Sequence, residues 1–318
     1  MSAATAATRP DAPDDWAGPS RFRAAGEWAV TAFLVACTLV TVVTTAGIVM
    51  VLGVEAVRFF RVSGVGPWAF LTGREIDFST DPPTVGILPL AWGTFVIAAG
   101  SSVIALPIGL LSALYLSEYA PRRLRAVLKP ALELLAGIPT IVYGYLALVL
   151  VTPALKWLLE PRFGVDAYNA LSGCIVVGIM VIPMVSSLSE DVLSAVPRGL
   201  REAAYGLGAT KFEVSTRIVL PAGLSGVFAS FILAISRAVG ETMAVVLAVG
   251  QRPNLTANPL KSMQTMTAYI VQVIGGEAGY DSPEYLSLFA VGATLFLITL
   301  ALNVVSGVVL RHFREVYE

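Results

Sequence analysis

Residues 28–54 have the sequence WAVTAFLVACTLVTVVTTAGIVMVLGV, which contains no charged side chain over its 27 positions. The hydrocarbon core of a bilayer is about 30 Å thick, and a helix needs about 20 apolar residues to cross it. The stretch is longer than the apolar part of a secretory signal peptide, so we expect it to be retained. It therefore predicts a transmembrane helix and places the chain among integral membrane proteins.

Further apolar stretches of similar length follow along the chain. They cover residues 87–116, 134–155, 167–189, 222–250 and 285–310. None shows the alternation with period two that is typical of a transmembrane strand. The sequence therefore predicts an all-α integral membrane protein with six transmembrane helices, in which the helix at 28–54 stands outside a core of five at 87–310.

The composition agrees with this fold class and excludes several functions. Hydrophobic residues make up 56% of the 318 residues and charged residues 14%, against about 45–50% and about 25% in soluble globular proteins. The formal net charge of -1 offers no basic surface for a nucleic acid. Two cysteines and one histidine provide too few ligands for a metal cluster, and the sequence has no G-x-x-x-x-G-K-[ST] loop to bind ATP. We therefore predict that this chain is not an enzyme and holds no cofactor of its own.

The distribution of basic residues predicts the orientation in the membrane. The two termini and the connections between spans two and three and between spans four and five carry 13 Lys and Arg residues, and the other side carries seven. Because basic residues accumulate on the cytoplasmic side, we expect both termini in the cytoplasm. Residues 1–27, rich in Ala, Pro and Asp, are predicted to be a disordered cytoplasmic tail, and residues 311–318 a second cytoplasmic tail.

The longest of the predicted cytoplasmic connections, residues 190–221, has the pattern of two short helices. Pro197 suits a first helical turn, and an apolar stripe ends at Gly208, a residue type that often follows a helix C-terminus. Thr210 followed by Glu213 has the spacing of a capping box that begins a second helix. Such a loop suits a docking element for a soluble partner, but a helix pair lying on lipid headgroups has the same pattern. Both interpretations are open at this point.

The same loop contains EAAYGLG at residues 202–208 and, nine residues later, IVLP at residues 218–221. These residues resemble the EAA---G---------I-LP motif of type I ABC importer permeases and match its seven fixed positions. The resemblance implies that the loop forms coupling helices, which dock into a cleft on a separate ATPase subunit. The residues that it assigns to this coupling are Glu202, Ala203, Ala204, Gly208, Ile218, Leu220 and Pro221.

Three further stretches resemble the permeases of phosphate-specific import systems. They are GILPLAWGT at 86–94, which is closer to the PstC-type subunit than to the PstA-type, ELLAGIPTIVYG at 133–144 and RAVGETMAV at 237–245. The resemblance implies a phosphate importer in the cell (inner or plasma) membrane, in which this chain pairs with a PstA-like permease subunit. It also implies two PstB-like ATPase subunits, which bind ATP and Mg²⁺, and a PstS-like phosphate-binding protein. It assigns no role to the segment 251–282.

Arg237 and Glu241 lie inside the fifth apolar stretch, near its middle. An arginine at the centre of a transmembrane helix costs about 2.5–3.5 kcal/mol on insertion scales. On one continuous helix the two side chains would share a face, and Glu241 would offset part of that cost. A guanidinium can hold two oxygens of phosphate, and a carboxylate can accept a hydrogen bond from the proton that hydrogenphosphate carries and sulfate lacks. The pair is therefore a candidate substrate site, although a purely structural ion pair fits the same residues.

Two other functions are open on the sequence alone. A permease for another oxyanion, such as molybdate or sulfate, would have the same architecture. An ion-coupled secondary transporter would use Arg237 and Glu241 as a proton relay. Such transporters are typically built from internal repeats, and the sequence shows no repeat, so this alternative is the weaker one.

Overall fold

The computed structural model describes the backbone of residues 21–312 and the side chains of residues 26–308. Most of the two predicted tails, residues 1–20 and 313–318, therefore lies outside the described residues. The remaining residues of both tails belong to helices.

The chain divides into two units, residues 1–51 and 52–318. In the first unit the described residues form the N-terminal part of helix α1 (Arg21–Ser63). All of its described side chains are exposed although most are apolar, which is the surface expected of a helix that faces lipid. Each of its five threonine hydroxyls donates to the carbonyl four residues earlier, so these polar groups are satisfied without water. The helix extends beyond the predicted 28–54 at both ends, because backbone hydrogen bonding does not stop at the first charged side chain.

The second unit contains the end of α1 and the remaining described helices. They are α2 (Pro67–Thr72), α3 (Leu88–Leu114), α4 (Arg122–Ala136), α5 (Thr140–Leu146), α6 (Thr152–Leu159), α7 (Ala170–Ala195), α8 (Arg198–Gly206), α9 (Lys211–Glu213), α10 (Leu220–Ala222), α11 (Leu224–Val239), α12 (Met243–Val249), α13 (Met266–Gly275) and α14 (Pro283–His312). The π-helical segments that extend α3, join α5 to α6 and join α9 to α10 are Tyr115–Tyr119, Ala147–Val151 and Val214–Val219. A short hairpin pairs β1 (Ile76–Asp77) antiparallel with β2 (Thr84–Val85).

Within the described residues, five helices are long and apolar enough to cross a membrane, and a bent pair makes a sixth crossing if it is counted as one. The five are Gly26–Ser63, Leu88–Tyr119, Thr140–Leu159, Ala170–Ala195 and Pro283–Val308. The bent pair consists of Lys211–Ala222 and Leu224–Val239, which meet at 71°. The predicted all-α membrane fold is confirmed.

Two of the predicted spans are interrupted. The sequence predicts the third span at 134–155, whereas α4 ends at Ala136 and the span begins at Thr140. The reason is Pro139, which has no amide hydrogen to continue the helix and disfavours the helical conformation in the residue before it. The fifth predicted span, 222–250, is interrupted between α11 and α12, at the candidate functional site.

The centre of the second unit is the contact between α3 and α7, where glycines let the two helices approach closely. A Cβ atom on Gly100 would lie 2.4 Å from the sulfur of Cys174, and one on Gly109 would lie 2.7 Å from Cβ of Val185. Larger residues at these positions would push the helices apart, and small residues are common at helix contacts in membranes for this reason. The pair α3–α7 is therefore the rigid centre against which the docking loop and the fifth span pack.

The segment between α12 and α13 is fixed to the start of α7 by Asp166. Its carboxylate accepts from Lys261 Nζ and from the Ser262 N–H, both at 3.1 Å. Burial opposes the ionisation of Asp166, but these two donors outweigh it and lower the pKa of the carboxyl below its usual value. The carboxylate is therefore ionised at neutral pH, and its stabilising contribution is lost only as the pH falls through that lowered pKa.

A buried carboxylate on α7 holds α4 against the bundle. Glu190 is fully buried and accepts from Arg125 and from Lys129 Nζ of α4, the latter at 2.7 Å. Ser194 Oγ donates to the same carboxylate at 2.9 Å, and Asp191 gives Lys129 a second partner. A charge in such a position is tolerated only when it is paired and hydrogen-bonded. The helix α4, none of whose residues is fully buried, is therefore attached through Glu190.

We expect the change Glu190→Ala to release α4, because breaking a buried ion pair costs about 3–5 kcal/mol. Hydrogen exchange on the purified protein in detergent should then be faster throughout Arg122–Ala136. The change Glu160→Ala removes an exposed carboxylate and serves as the matched control, with exchange like that of the wild type. Unchanged exchange in α4 of the Glu190 variant would contradict this attachment.

Candidate functional site

The predicted docking loop folds as a helix, a glycine turn and a second helix. The first helix, α8, ends at Gly206, and Gly208 follows with φ of +84°, a left-handed conformation that favours glycine. Thr210 then begins α9: its hydroxyl accepts from the Glu213 N–H at 3.3 Å, and its own N–H donates to the Glu213 carboxylate at 2.9 Å. The predicted glycine turn and capping box are both confirmed.

The seven motif residues of this loop fall into two groups by exposure. The exposed group consists of Glu202, Ala203, Gly208 and Pro221. The inward group consists of Ala204, which is 8% exposed, and the half-buried Ile218 and Leu220. The inward residues pack into a cluster with Leu193 and Val214, so they hold the loop on the bundle. Only the exposed group is available to a partner.

Three apolar side chains outside the motif positions add to the exposed surface of the loop. Leu207 is 90% exposed, Phe212 68% and Tyr205 43%. Apolar side chains gathered on an exposed surface are typical of an interaction site. Their position in and beside the turn between two short polar helices is the signal by which the sequence could have indicated them.

Arg201 fastens the docking loop to two helices of the bundle. Its guanidinium donates to the Glu118 carboxylate at 2.9 and 3.2 Å, in the π-helical extension of α3. It also donates to the carbonyls of Leu193, at 2.7 Å, and of Val196, at the C-terminal end of α7. The side chains of Arg201 and Glu118 are 15% and 6% exposed, so the pair is largely shielded from water. The side chain of Arg201 therefore connects the loop to both α3 and α7, so that a displacement of the loop would be transmitted to both helices.

The fifth span is interrupted where the sequence predicts a continuous helix through Arg237 and Glu241. Helix α11 ends at Val239, Gly240 follows in a turn, and α12 begins at Met243. The two charged side chains therefore do not share a helical face, and no ion pair joins them. The prediction that both residues lie on one continuous helix is wrong, because glycine has a low helix propensity and α11 ends just before Gly240.

Arg237 is left with open bonding capacity by this arrangement. It is exposed and makes no hydrogen bond or ion pair with any other described residue. Beside it, the hydroxyl of Ser236 donates to Asn303 of α14 at 3.2 Å. A charged group in an apolar span faces a protein neighbour or an aqueous path because lipid does not solvate it. The guanidinium is thus free to bind an anion at the end of α11.

Glu241 is 7% exposed and only partly engaged. One carboxylate oxygen accepts from the Ala244 N–H at 3.3 Å, at the start of α12, where negative charge is favoured. Its backbone carbonyl accepts from the Thr267 hydroxyl at 2.8 Å. An ionised carboxylate can accept about four hydrogen bonds, so Glu241 keeps capacity for a donor from a ligand.

An exposed loop with this motif, followed along the chain by a broken apolar span whose arginine has no partner among the described residues, is the arrangement expected of a transport permease. Residues 105–315 match the family described as "Binding-protein-dependent transport system inner membrane component". This region contains both the docking loop and the break in the fifth span. The chain belongs to that family.

Relatives and solved structures extend the comparison to most of the chain. The probable ABC transporter permease protein YqgH of Bacillus subtilis is 32% identical over 264 residues, covering 83% of this chain and 84% of the relative. The phosphate transport system permease protein PstC of Xylella fastidiosa is 36% identical over 261 residues, covering 76% and 79%. A chain of a bacterial ABC transporter involved in the import of the acidic polysaccharide alginate is similar in fold, with a TM-score of 0.64 at 15% identity, over 91% of this chain and 97% of that chain. The predicted importer-permease fold is confirmed.

We expect the change Arg201→Ala to destabilise the protein by about 3–5 kcal/mol, because it leaves the buried Glu118 carboxylate without its partner. Thermal unfolding of the purified protein in detergent should show a lower Tm. The matched control is Arg198→Ala, since Arg198 is an exposed cation on the same helix. An equal Tm for the two variants would contradict the anchoring of the loop by Arg201.

Proposed function

We propose that this chain is a permease subunit of an ATP-driven phosphate importer and forms half of the transmembrane pathway. The observation that carries the proposal is Arg237 in the broken fifth span, which has no partner among the described residues and is followed by a partly engaged Glu241. The relatives that are named as phosphate permeases support phosphate over molybdate or sulfate as the substrate.

The two charged groups suit hydrogenphosphate in complementary ways. The guanidinium of Arg237 presents a planar pair of donors that matches two phosphate oxygens. The carboxylate of Glu241 repels a fully ionised oxyanion but accepts a hydrogen bond from the proton that phosphate retains at neutral pH. A site of this kind holds phosphate and rejects sulfate by leaving the latter with an unfavourable contact.

The proposed assembly follows from the exposed surfaces and from the resemblance. A PstA-like second permease subunit completes the pathway opposite the exposed Arg237. Two PstB-like ATPase subunits bind ATP and Mg²⁺, so ATP hydrolysis takes place outside this chain, and a PstS-like phosphate-binding protein delivers phosphate. The complex lies in the cell membrane (the inner or plasma membrane), with both termini of this chain and its docking loop in the cytoplasm.

The mechanical coupling uses contacts within this chain. In the proposed cycle the ATPase subunit moves the exposed surface around Glu202 and Leu207, and Arg201 passes the movement to α3 and α7. Helix α7 contacts α11 through the hydroxyls of Ser189 and Ser230, which lie 2.7 Å apart. Because α11 carries Arg237 at its far end, the movement reaches the anion site and opens it alternately to each side.

Replacing Arg237 with glutamine should reduce ATP-dependent phosphate uptake by at least about tenfold, because a hydrogen bond from a charged donor is worth about 1.5–3 kcal/mol. The measurement is uptake of radiolabelled phosphate by proteoliposomes that contain the complete complex. The matched control is Arg162→Gln, which removes an exposed arginine from the connection between α6 and α7. Near-normal uptake by the double variant Arg237→Leu and Glu241→Leu would contradict an anion site at the break.

Separate variants test the docking surface. Glu202→Lys and Leu207→Ser should each lower the affinity for the ATPase subunit by about tenfold or more, because the first reverses an interface charge and the second removes an apolar contact. Both positions are exposed, so the fold should be unaffected, whereas a side chain at Gly208 would strain the backbone as well.

Co-purification of the ATPase subunit from detergent, together with its rate of ATP hydrolysis, measures this loss. Glu160→Lys is the control, since it reverses an exposed charge elsewhere. Wild-type recovery of the ATPase subunit by both docking variants would exclude this surface as the coupling site.

A further inference from the structure

The segment 262–268 passes through the interior of the second unit. Four consecutive residues are at most 2% exposed, namely Met263, Gln264, Thr265 and Met266. The Gln264 carbonyl lies so close to α3 that a Cβ atom on Gly93 would be 2.3 Å from its oxygen. The Met266 N–H donates to the hydroxyl of Thr94 at 3.0 Å. Its first four residues, 262–265, are irregular, and α13 begins at Met266. Irregular backbone inside a membrane protein occurs where it is buried in protein or lines a polar path. The segment contacts the broken fifth span through Thr267, in the first turn of α13.

The contact between the segment and the break is made by Thr267. Glu241 lies between α11 and α12, so its carbonyl needs a partner from outside the helices. The Thr267 hydroxyl supplies that partner at 2.8 Å. The carboxylate of the same residue is held on its other side by the Ala244 N–H. Glu241 is thus held at both its backbone and its side chain, and Thr267 provides the shorter of these two bonds.

The Thr267 hydroxyl is itself part of a chain of hydrogen bonds. The hydroxyls of Thr265 and Thr267 are 3.0 Å apart. Each hydroxyl has one proton, and because Thr267 donates its proton to the Glu241 carbonyl, Thr265 must donate to Thr267. Thr265 in turn accepts from the Ala268 N–H at 3.2 Å. The direction of the chain is therefore fixed from α13 to the break, and each bond polarises the next.

We propose that Thr267 is a positioning residue for Glu241 and that, through it, the importer distinguishes protonated phosphate from sulfate. The inference rests on the proposed function. A carboxylate that accepts a hydrogen bond from its ligand's hydroxyl must lie at about 2.5–2.7 Å from the donor oxygen. Without the Thr267 hydroxyl, residue 241 is held only by weaker bonds, and the carboxylate loses that placement.

The test compares Thr267→Val, which removes the hydroxyl at nearly constant shape, with Thr267→Ser, which keeps it. Binding of radiolabelled inorganic phosphate to the purified complex of both permease and ATPase subunits, without the binding protein, is measured against increasing sulfate. We expect sulfate to compete about 3- to 10-fold better in the valine variant, the range that corresponds to one lost hydrogen bond. The serine variant should behave as the wild type does. Thr267→Cys, a weaker donor of similar volume, should be intermediate and serves if the valine variant does not assemble.

Two comparisons separate positioning of Glu241 from general support of the fold. In a Glu241→Gln background, Thr267→Val should cause no further change in sulfate competition, because its effect passes through the carboxylate. Thr94→Val removes a bond to the same buried segment without touching Glu241, and it should leave sulfate competition unchanged. Additive effects in the first comparison, or an equal loss in the Thr94 variant, would overturn the proposal.

Different results would contradict the proposed function and the role of Thr267. A wild-type complex that neither binds nor imports phosphate would contradict the proposed function. Normal phosphate import by the wild type, combined with unchanged sulfate competition in Thr267→Val, would contradict the role of Thr267 alone.

Discussion

The interruption of the fifth span is the constraint on which much of the structure depends. Where α11 ends at Val239, backbone and charged groups are left that lipid cannot satisfy, so partners must come from elsewhere in the chain. Thr267 supplies one of them, and this draws the segment 262–268 into the interior. That segment requires close contact with α3, which is why a glycine at position 93 is needed there. Arg237 is left without a described partner, and we assign it to the substrate.

A second set of contacts joins the docking loop, α4 and α11 to α7. Helix α7 takes part in all of them: Arg201 binds its C-terminal carbonyls, Glu190 attaches α4, and Ser189 contacts α11. Close packing of α3 on α7 makes the two helices one body, because protein interiors transmit displacement rather than absorb it. The exposed surface of the docking loop and the proposed anion site are therefore connected through packed helices and buried polar contacts.

Much of this architecture is predictable from the sequence because its signals are local. The apolar spans, the glycine turn at Gly208 and the Thr210–Glu213 capping box each depend on residues within a few positions of one another. The break after Val239 is hidden because apolar residues continue on both sides of it. The partners of Glu190 are equally hidden, since they lie 61 and 65 residues away along the chain. The segment 262–268 has no periodic pattern, and only its contacts with Gly93 and Glu241 reveal its place.

The central claim is that the unpaired arginine of the broken span binds phosphate. An electron cryomicroscopy structure of the complete complex with its second permease subunit, its ATPase subunits and bound phosphate tests it most directly. We expect phosphate density within hydrogen-bonding distance of the Arg237 guanidinium and next to the Glu241 carboxylate. Phosphate bound elsewhere in the pathway, with Arg237 instead paired to a carboxylate of the second permease subunit, would contradict it.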